Sequence, residues 1–160
     1  MKNKALKNLR LIIPFIALVG ILIAVLIAPS DPVQDECSAR YRNDSVVKVS
    51  SYTIKVEVVQ TKQEQQKGLS NRACIDTERG MLFAFEKPGY YSFWMKDMRF
   101  PIDIIWIDED RKVVGIEREV QPSTYPDSFV NRDKPAKYVL ELKAGQAKIL
   151  NINLDTPVNF

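Results

Sequence analysis

Between Gly80 and Asp108 the chain reads GMLFAFEKPGYYSFWMKDMRFPIDIIWID, apolar runs of strand length with Lys96, Asp97, Arg99 and Asp103 set among them. Charges inside such runs have to be paired or put to use. The runs Met81 to Phe85, Tyr91 to Lys96, Asp103 to Ile107, Lys112 to Val120 and Tyr138 to Lys143 read as strands. Turn signals separate them at Lys87-Pro88-Gly89, Phe100-Pro101, Asp108 to Asp110 and the Pro122 to Pro135 loop. Upstream, SSYTIKVEVVQ at Ser50 to Gln60 puts Ile54, Val56 and Val58 on one face and Lys55 and Glu57 on the other, the period-two mark of a half-buried strand. Thr61 and Glu64 have capping-box spacing, which predicts a short helix from about Lys62 to Lys67 closed by Gly68. Only AGQAKIL at Ala144 to Leu150 suggests a further helical turn. The expected fold is mainly β, a β-rich α+β class: one barrel-like or half-barrel domain with one or two short helices, curled to hide its edges.

A four-residue loop at Met98-Arg99-Phe100-Pro101 would pair Lys96 with Asp103 across a hairpin. That pair is either an ion pair fixing register or a ligand-facing pair beside Trp94. Alternation sends Phe93 and Trp94 to opposite faces, while Tyr90 and Tyr91 after Pro88-Gly89 fall near a loop mouth and form the better exposed platform. Glu141 lies opposite Leu140 and Leu142 and reads as a solvent-facing or hairpin-pairing charge; a hydrolase would have to use it with Asp103. Met81, Met95 and Met98 read as gap-fillers rather than a copper site, and Asp108-Glu109-Asp110 as a solvated turn rather than a calcium loop. No metal or other cofactor is called for.

The chain has no histidine. This removes Ser/His/Asp and Cys/His nucleophilic catalysis, imidazole zinc sites and the usual near-neutral proton shuttle. From Leu11 to Ala28 eighteen residues carry no charge, preceded by Lys2, Lys4, Lys7 and Arg10. Such a run spans roughly 27 Å as a helix. It reads as an uncleaved transmembrane anchor rather than a cleaved signal, with residues 1–10 a cytoplasmic basic flank by the positive-inside tendency. Residues 29–45, polar with two prolines among Pro29 to Pro32, read as a stalk, and 46–160 as the outward-facing domain. The chain is then a single-pass protein of the cell membrane. Apart from the flank, nineteen basic residues face 20 acidic ones, so the domain lacks the footprint of a nucleic-acid binder. Cys37 and Cys74 both fall in the exported portion, where a disulfide is the natural reading.

GLSNR at Gly68 to Arg72, GMLF at Gly80 to Phe83, FWMK at Phe93 to Lys96, PIDIIWID at Pro101 to Asp108 and YVLELKAG at Tyr138 to Gly145 together resemble the family called domain of unknown function 192. The resemblance covers about residues 50–155. It implies a compact β-rich domain, often exported or membrane-anchored, without an assigned reaction. The family's polar motif positions fall on Arg72, Lys96, Asp103 and Glu141. Where the family often has glycine this chain carries Arg111, Asn151 and Asp155; Asn and Asp tolerate left-handed backbone better than most residues.

The functional expectation is a membrane-anchored binding or interaction module outside the cytoplasm. Its ligand would be an envelope glycan or a partner protein engaging Arg72, Tyr90, Tyr91, Trp94, Lys96, Asp103, Glu141 or the Ser123 to Lys134 loop. The rivals are the carboxylate hydrolase and a purely structural envelope protein.

Overall fold

The computed structural model describes Cys37 and residues 41–160. The apolar run at 11–28 lies outside them, as does most of the segment read as stalk. Among the described residues no helix is long and apolar enough to cross a membrane.

The strands are β1 (Ser45–Val49), β2 (Tyr52–Val59), β3 (Arg79–Gly89), β4 (Ser92–Trp94), β5 (Ile102–Ile107), β6 (Val113–Val120), β7 (Ser128–Val130), β8 (Ala136–Lys143) and β9 (Val158–Asn159); α1 is Lys62–Lys67 and α2 is Gln146–Ile149. Seven strands form one sheet in the order β6-β5-β8-β3-β2-β1-β9, and β4 with β7 forms a separate ribbon. The β2–β3 pair, connected through α1, is parallel. The other pairs are antiparallel. The segment entering β9 meets the start of β6 through Val113 N–H to Thr156 O (3.1 Å), Val158 N–H to Arg111 O (2.9 Å) and a Lys112–Pro157 bridge. The two ends of the strand order are thereby drawn together, and the sheet is a half-barrel, which hides its edges.

Helix α1 forms as its sequence dictates. The Glu64 N–H donates to Thr61 Oγ1 (3.2 Å), the Thr61 N–H to Glu64 Oε2 (3.2 Å), and Gly68, at φ 46°, ends it by donating to Glu64 O (2.8 Å). The positions where the family often has glycine all take positive φ, 53° at Asn151, 62° at Asp155 and also 60° at Arg111. Arg111 is held there by a bond from Nη1 to Phe160 O (2.6 Å), its guanidinium 4.7 Å from the Phe160 ring centroid.

Both faces of the sheet are packed. The inner face carries Val47, Val49, Ile54, Val56, Leu82, Ile105, Ile107, Leu140 and Leu142, closed by Ala147, Leu150 and Ile152 around α2. The outer face carries Val59, Met81, Phe83, Ile104, Trp106 and Val139, covered by Phe93 of β4 and by Tyr41, Leu69, Ile75 and Met95 from the connecting segments. All six residues of β5 are therefore buried. The Cys37–Cys74 disulfide is formed, with Cα atoms 5.6 Å apart. Cys37 and Tyr41 are buried, so the domain's packing reaches back into the segment read as stalk.

Three expectations are corrected. The hairpin joining Lys96 to Asp103 does not form: β4 pairs with β7, Phe93 opposite Phe129, while β5 lies between β6 and β8. The chain turns away after β4, at Asp97 with φ 56°, and is pinned to the Ser70–Asn71 segment by Ser70 Oγ to Lys96 O and Asn71 N–H to Asp97 O, both 2.8 Å. Glu57 and Glu141, placed on polar faces by alternation alone, are buried, because the outer face is covered. Strands β1, β7 and β9 arise where no strand is expected, β7 within the long Pro122 to Pro135 loop.

Candidate functional site

Strand register decides where the charged candidates go. Glu57, Met81, Glu141 and Ile104 are successive cross-strand partners on β2, β3, β8 and β5, one row across the outer face. At about 4.8 Å per strand, Glu57 and Glu141 stand roughly 10 Å apart along it. Asp103 is paired with Leu142, one residue out of phase, and so points to the inner face. Asp103 and Glu141 therefore share no site, which removes the hydrolase arrangement that needed both.

Asp103 is 0% exposed and fully satisfied. Its Oδ1 accepts from Glu119 N–H (2.8 Å) and Gly145 N–H (3.1 Å), and its Oδ2 from Ala147 N–H (2.7 Å). One carboxylate thus fixes the irregular end of β6, where Glu119 sits at φ 54°, to the start of α2. Three backbone donors take the place of the lysine expected as its partner. Lys96 is exposed.

Glu57 is satisfied in a different way. Arg72 grips it as a fork, Nη1 on Oε1 and Nη2 on Oε2 (3.0 Å), with its guanidinium 4.3 Å from the Tyr41 ring centroid. Tyr41 in turn donates its hydroxyl to Cys74 O, beside the disulfide. Bidentate geometry makes this a strong, directional ion pair.

Glu141 alone is left over. It is 5% exposed, and its Oε2 is buried with no hydrogen-bond partner among the described residues. Burial pushes its carboxyl up to about 8, against a weaker downward pull from Arg72. At neutral pH it is a protonated acid, able both to donate and to accept a hydrogen bond.

Glu141 is also among the residues lining a cavity of about 280 Å³ whose other walls include Leu69, Phe83, Phe85, Tyr91, Phe93 and Trp94. Phe85 and Tyr91 stack with centroids 3.5 Å apart and planes 8° off parallel, and Phe83 meets Phe93 edge-on at 4.8 Å. Trp94, 53% exposed, stands at the mouth, where α1 and its C-terminal turn contribute Lys62, Gln66, Lys67 and Ser70. Alternation in β4 sends Phe93 and Trp94 to opposite faces, as the sequence predicts; Phe93 is the one inside and Trp94 the one outside. A buried, unpartnered polar group in an aromatic-walled cavity is the usual anatomy of a small-ligand site.

A family model described as "Uncharacterized ACR", domain of unknown function 192, matches residues 45–160. The chain belongs to this family. Among solved structures, a protein of unknown function from Novosphingobium aromaticivorans is similar, with 30% identity and a TM-score of 0.67 over 72% of this chain and 84% of that one. A candidate transcription regulator from Sinorhizobium meliloti shares 26% identity, with a TM-score of 0.66 over 71% of this chain and 89% of that one. No curated protein matches.

Of the polar positions carried over from the family 192 motifs, the structure brings Arg72 and Glu141 to the same side of the sheet and sends Asp103 to the other. Tyr91 and Trp94 join Glu141 around the cavity; Tyr90, 59% exposed, stands outside its lining. Sequence reasoning missed Glu57, Phe83, Phe85 and the contribution of α1. Glu57 and Glu141 carried a common signal, each a lone acid centred in a β-branched or leucine-rich run, IKVEVV and YVLELK.

Proposed function

We propose that this family 192 chain is a binding module held at the outer face of the cell membrane by residues 11–28, and that its small-ligand site is the cavity at Glu141. The observation that carries the reading is the buried Glu141 Oε2, without a partner among the described residues. An unmade bond at such a group is costly, and a ligand that makes it recovers that cost. The Cys37–Cys74 bridge supports the extracytoplasmic placement, since disulfides persist in oxidising compartments. Of the two expected occupants, the cavity favours an envelope glycan over a partner protein: aromatic faces suit the flat C–H faces of a sugar, and the rim has amide, hydroxyl and ammonium groups. The transcription-regulator description of the Sinorhizobium meliloti protein is not carried over, because the domain is near-neutral.

The test is thermal unfolding of the full chain in detergent against envelope glycan fragments. A ligand at a hundred times its dissociation constant adds about 2.7 kcal/mol, which raises the midpoint by several degrees. The expected result is a shift that is lost in Trp94→Ala, whose exposed side chain can be removed without disturbing the core. A shift unchanged by that substitution, or no shift with any fragment, defeats the reading.

A further inference from the structure

The charge around the cavity is one-sided. Lys62 and Lys67, both exposed, are part of its lining, Glu141 is the only acid lining it among the described residues, and that acid is neutral near pH 7. Behind the wall, Arg72 is close enough to Glu141 to pull against the effect of its burial. Its guanidinium is engaged with Glu57 and Tyr41. A cationic ligand would meet two ammonium groups on entry and would have to ionise a buried carboxyl to gain a counter-charge. An anionic group left at the mouth meets Lys62 and Lys67 while still partly hydrated.

The remaining lining divides into stacking surfaces and hydrogen-bonding groups. Trp94 and Tyr91 offer faces near the entrance, and Gln66 and Ser92 are exposed polar groups beside them. A protonated Glu141 both donates and accepts, which matches a hydroxyl better than a carboxylate or an ammonium.

We propose that the cavity takes an acidic sugar, a pyranose stacked on the Trp94 side with its carboxylate toward Lys62 and Lys67 and a ring hydroxyl bonded to Glu141. This rests on the glycan reading above and adds the sign of the ligand's charge. Glucuronic acid, glucose and glucosamine share one ring and differ in a single substituent's charge or in one amine for one hydroxyl, so they separate the two readings.

Saturation-transfer NMR titrations of these three sugars with the full chain in detergent make the test. Glucuronate is expected to bind about tenfold more tightly than glucose at low salt, with glucosamine weakest. Replacing both Lys62 and Lys67 by alanine, at exposed positions on α1, should reduce glucuronate to the level of glucose and leave glucose unchanged. Glu141→Gln should weaken both sugars, and Lys96→Ala, outside the cavity, neither. Equal or tighter binding of glucose or glucosamine overturns the acidic preference and leaves a glycan site standing. Glucuronate binding that survives both the double lysine variant and Glu141→Gln places the sugar elsewhere and overturns the proposal. Binding by none of the three removes this proposal and the glycan reading together.

Discussion

Two carboxyl groups buried in adjacent strands of one sheet, Asp103 in β5 and Glu141 in β8, have opposite fates. Asp103 on the inner face receives three backbone N–H groups, whereas Glu141 on the outer face has a buried oxygen with no partner among the described residues. The first is built into the architecture. The second is kept at a cost that the fold does not recover by itself. Burial of a polar atom is thus no guide to its role until its partners are counted. On the same outer face, Glu57 shows that the fold can satisfy an acid there, through the Arg72 fork.

The comparison breaks most visibly at Asp103. Asp103→Ala removes the acceptor for three backbone donors, one buried and two part-buried, and should cost about 3–5 kcal/mol by denaturant unfolding. A loss below about 1 kcal/mol would mean that the end of β6 and the start of α2 hold without it.

Glu141→Gln should act with the opposite sign and with a pH dependence. Below about pH 4.5 the carboxyl is protonated in both the folded and unfolded chain. Between there and about 8 the unfolded chain releases a proton that the folded chain keeps, so wild-type stability falls as pH rises. The variant, which cannot ionise, should therefore be more stable than wild type by roughly 3 kcal/mol at pH 7, the gap closing toward pH 4.5. Paired unfolding curves at pH 4.5, 6 and 8 check this. A constant difference between the two proteins would show that Glu141 is ionised in the fold.

The smallest effect is expected at Lys96. Exposed and remote from Asp103, its replacement by alanine should change stability by less than about 0.5 kcal/mol. A double-mutant cycle with Asp103→Ala should give no coupling energy; a coupling above about 1 kcal/mol would restore the cross-strand pair.

What the sequence alone determined is local. Thr61, Glu64 and Gly68 lie within one short segment and settle α1 through contacts across a single turn. Alternation settles which residues of a strand share a face, so that Phe93 parts from Trp94 and Glu141 from Leu140. The family resemblance marked Arg111, Asn151 and Asp155 as positions where glycine is frequent, and all three have positive φ. The two cysteines in the segment read as exported foretold their bridge.

Tertiary structure decided what covers each face and which strand lies beside which. A period of two says that Glu57 and Glu141 oppose their aliphatic neighbours, and is silent on whether water or another layer lies beyond them. The segment carrying Leu69, Arg72 and Ile75 and the one carrying Phe93 and Met95 supply that layer. The Lys96–Asp103 pairing failed for the same reason. Adjacency in sequence favours a hairpin, but β5, apolar on both faces apart from Asp103, is buried more completely between β6 and β8 than beside the short β4. The cavity at Glu141 is assembled from α1, the turn after it, β3, β4 and β8, elements spread from Lys62 to Glu141, and so exists only once the chain has folded.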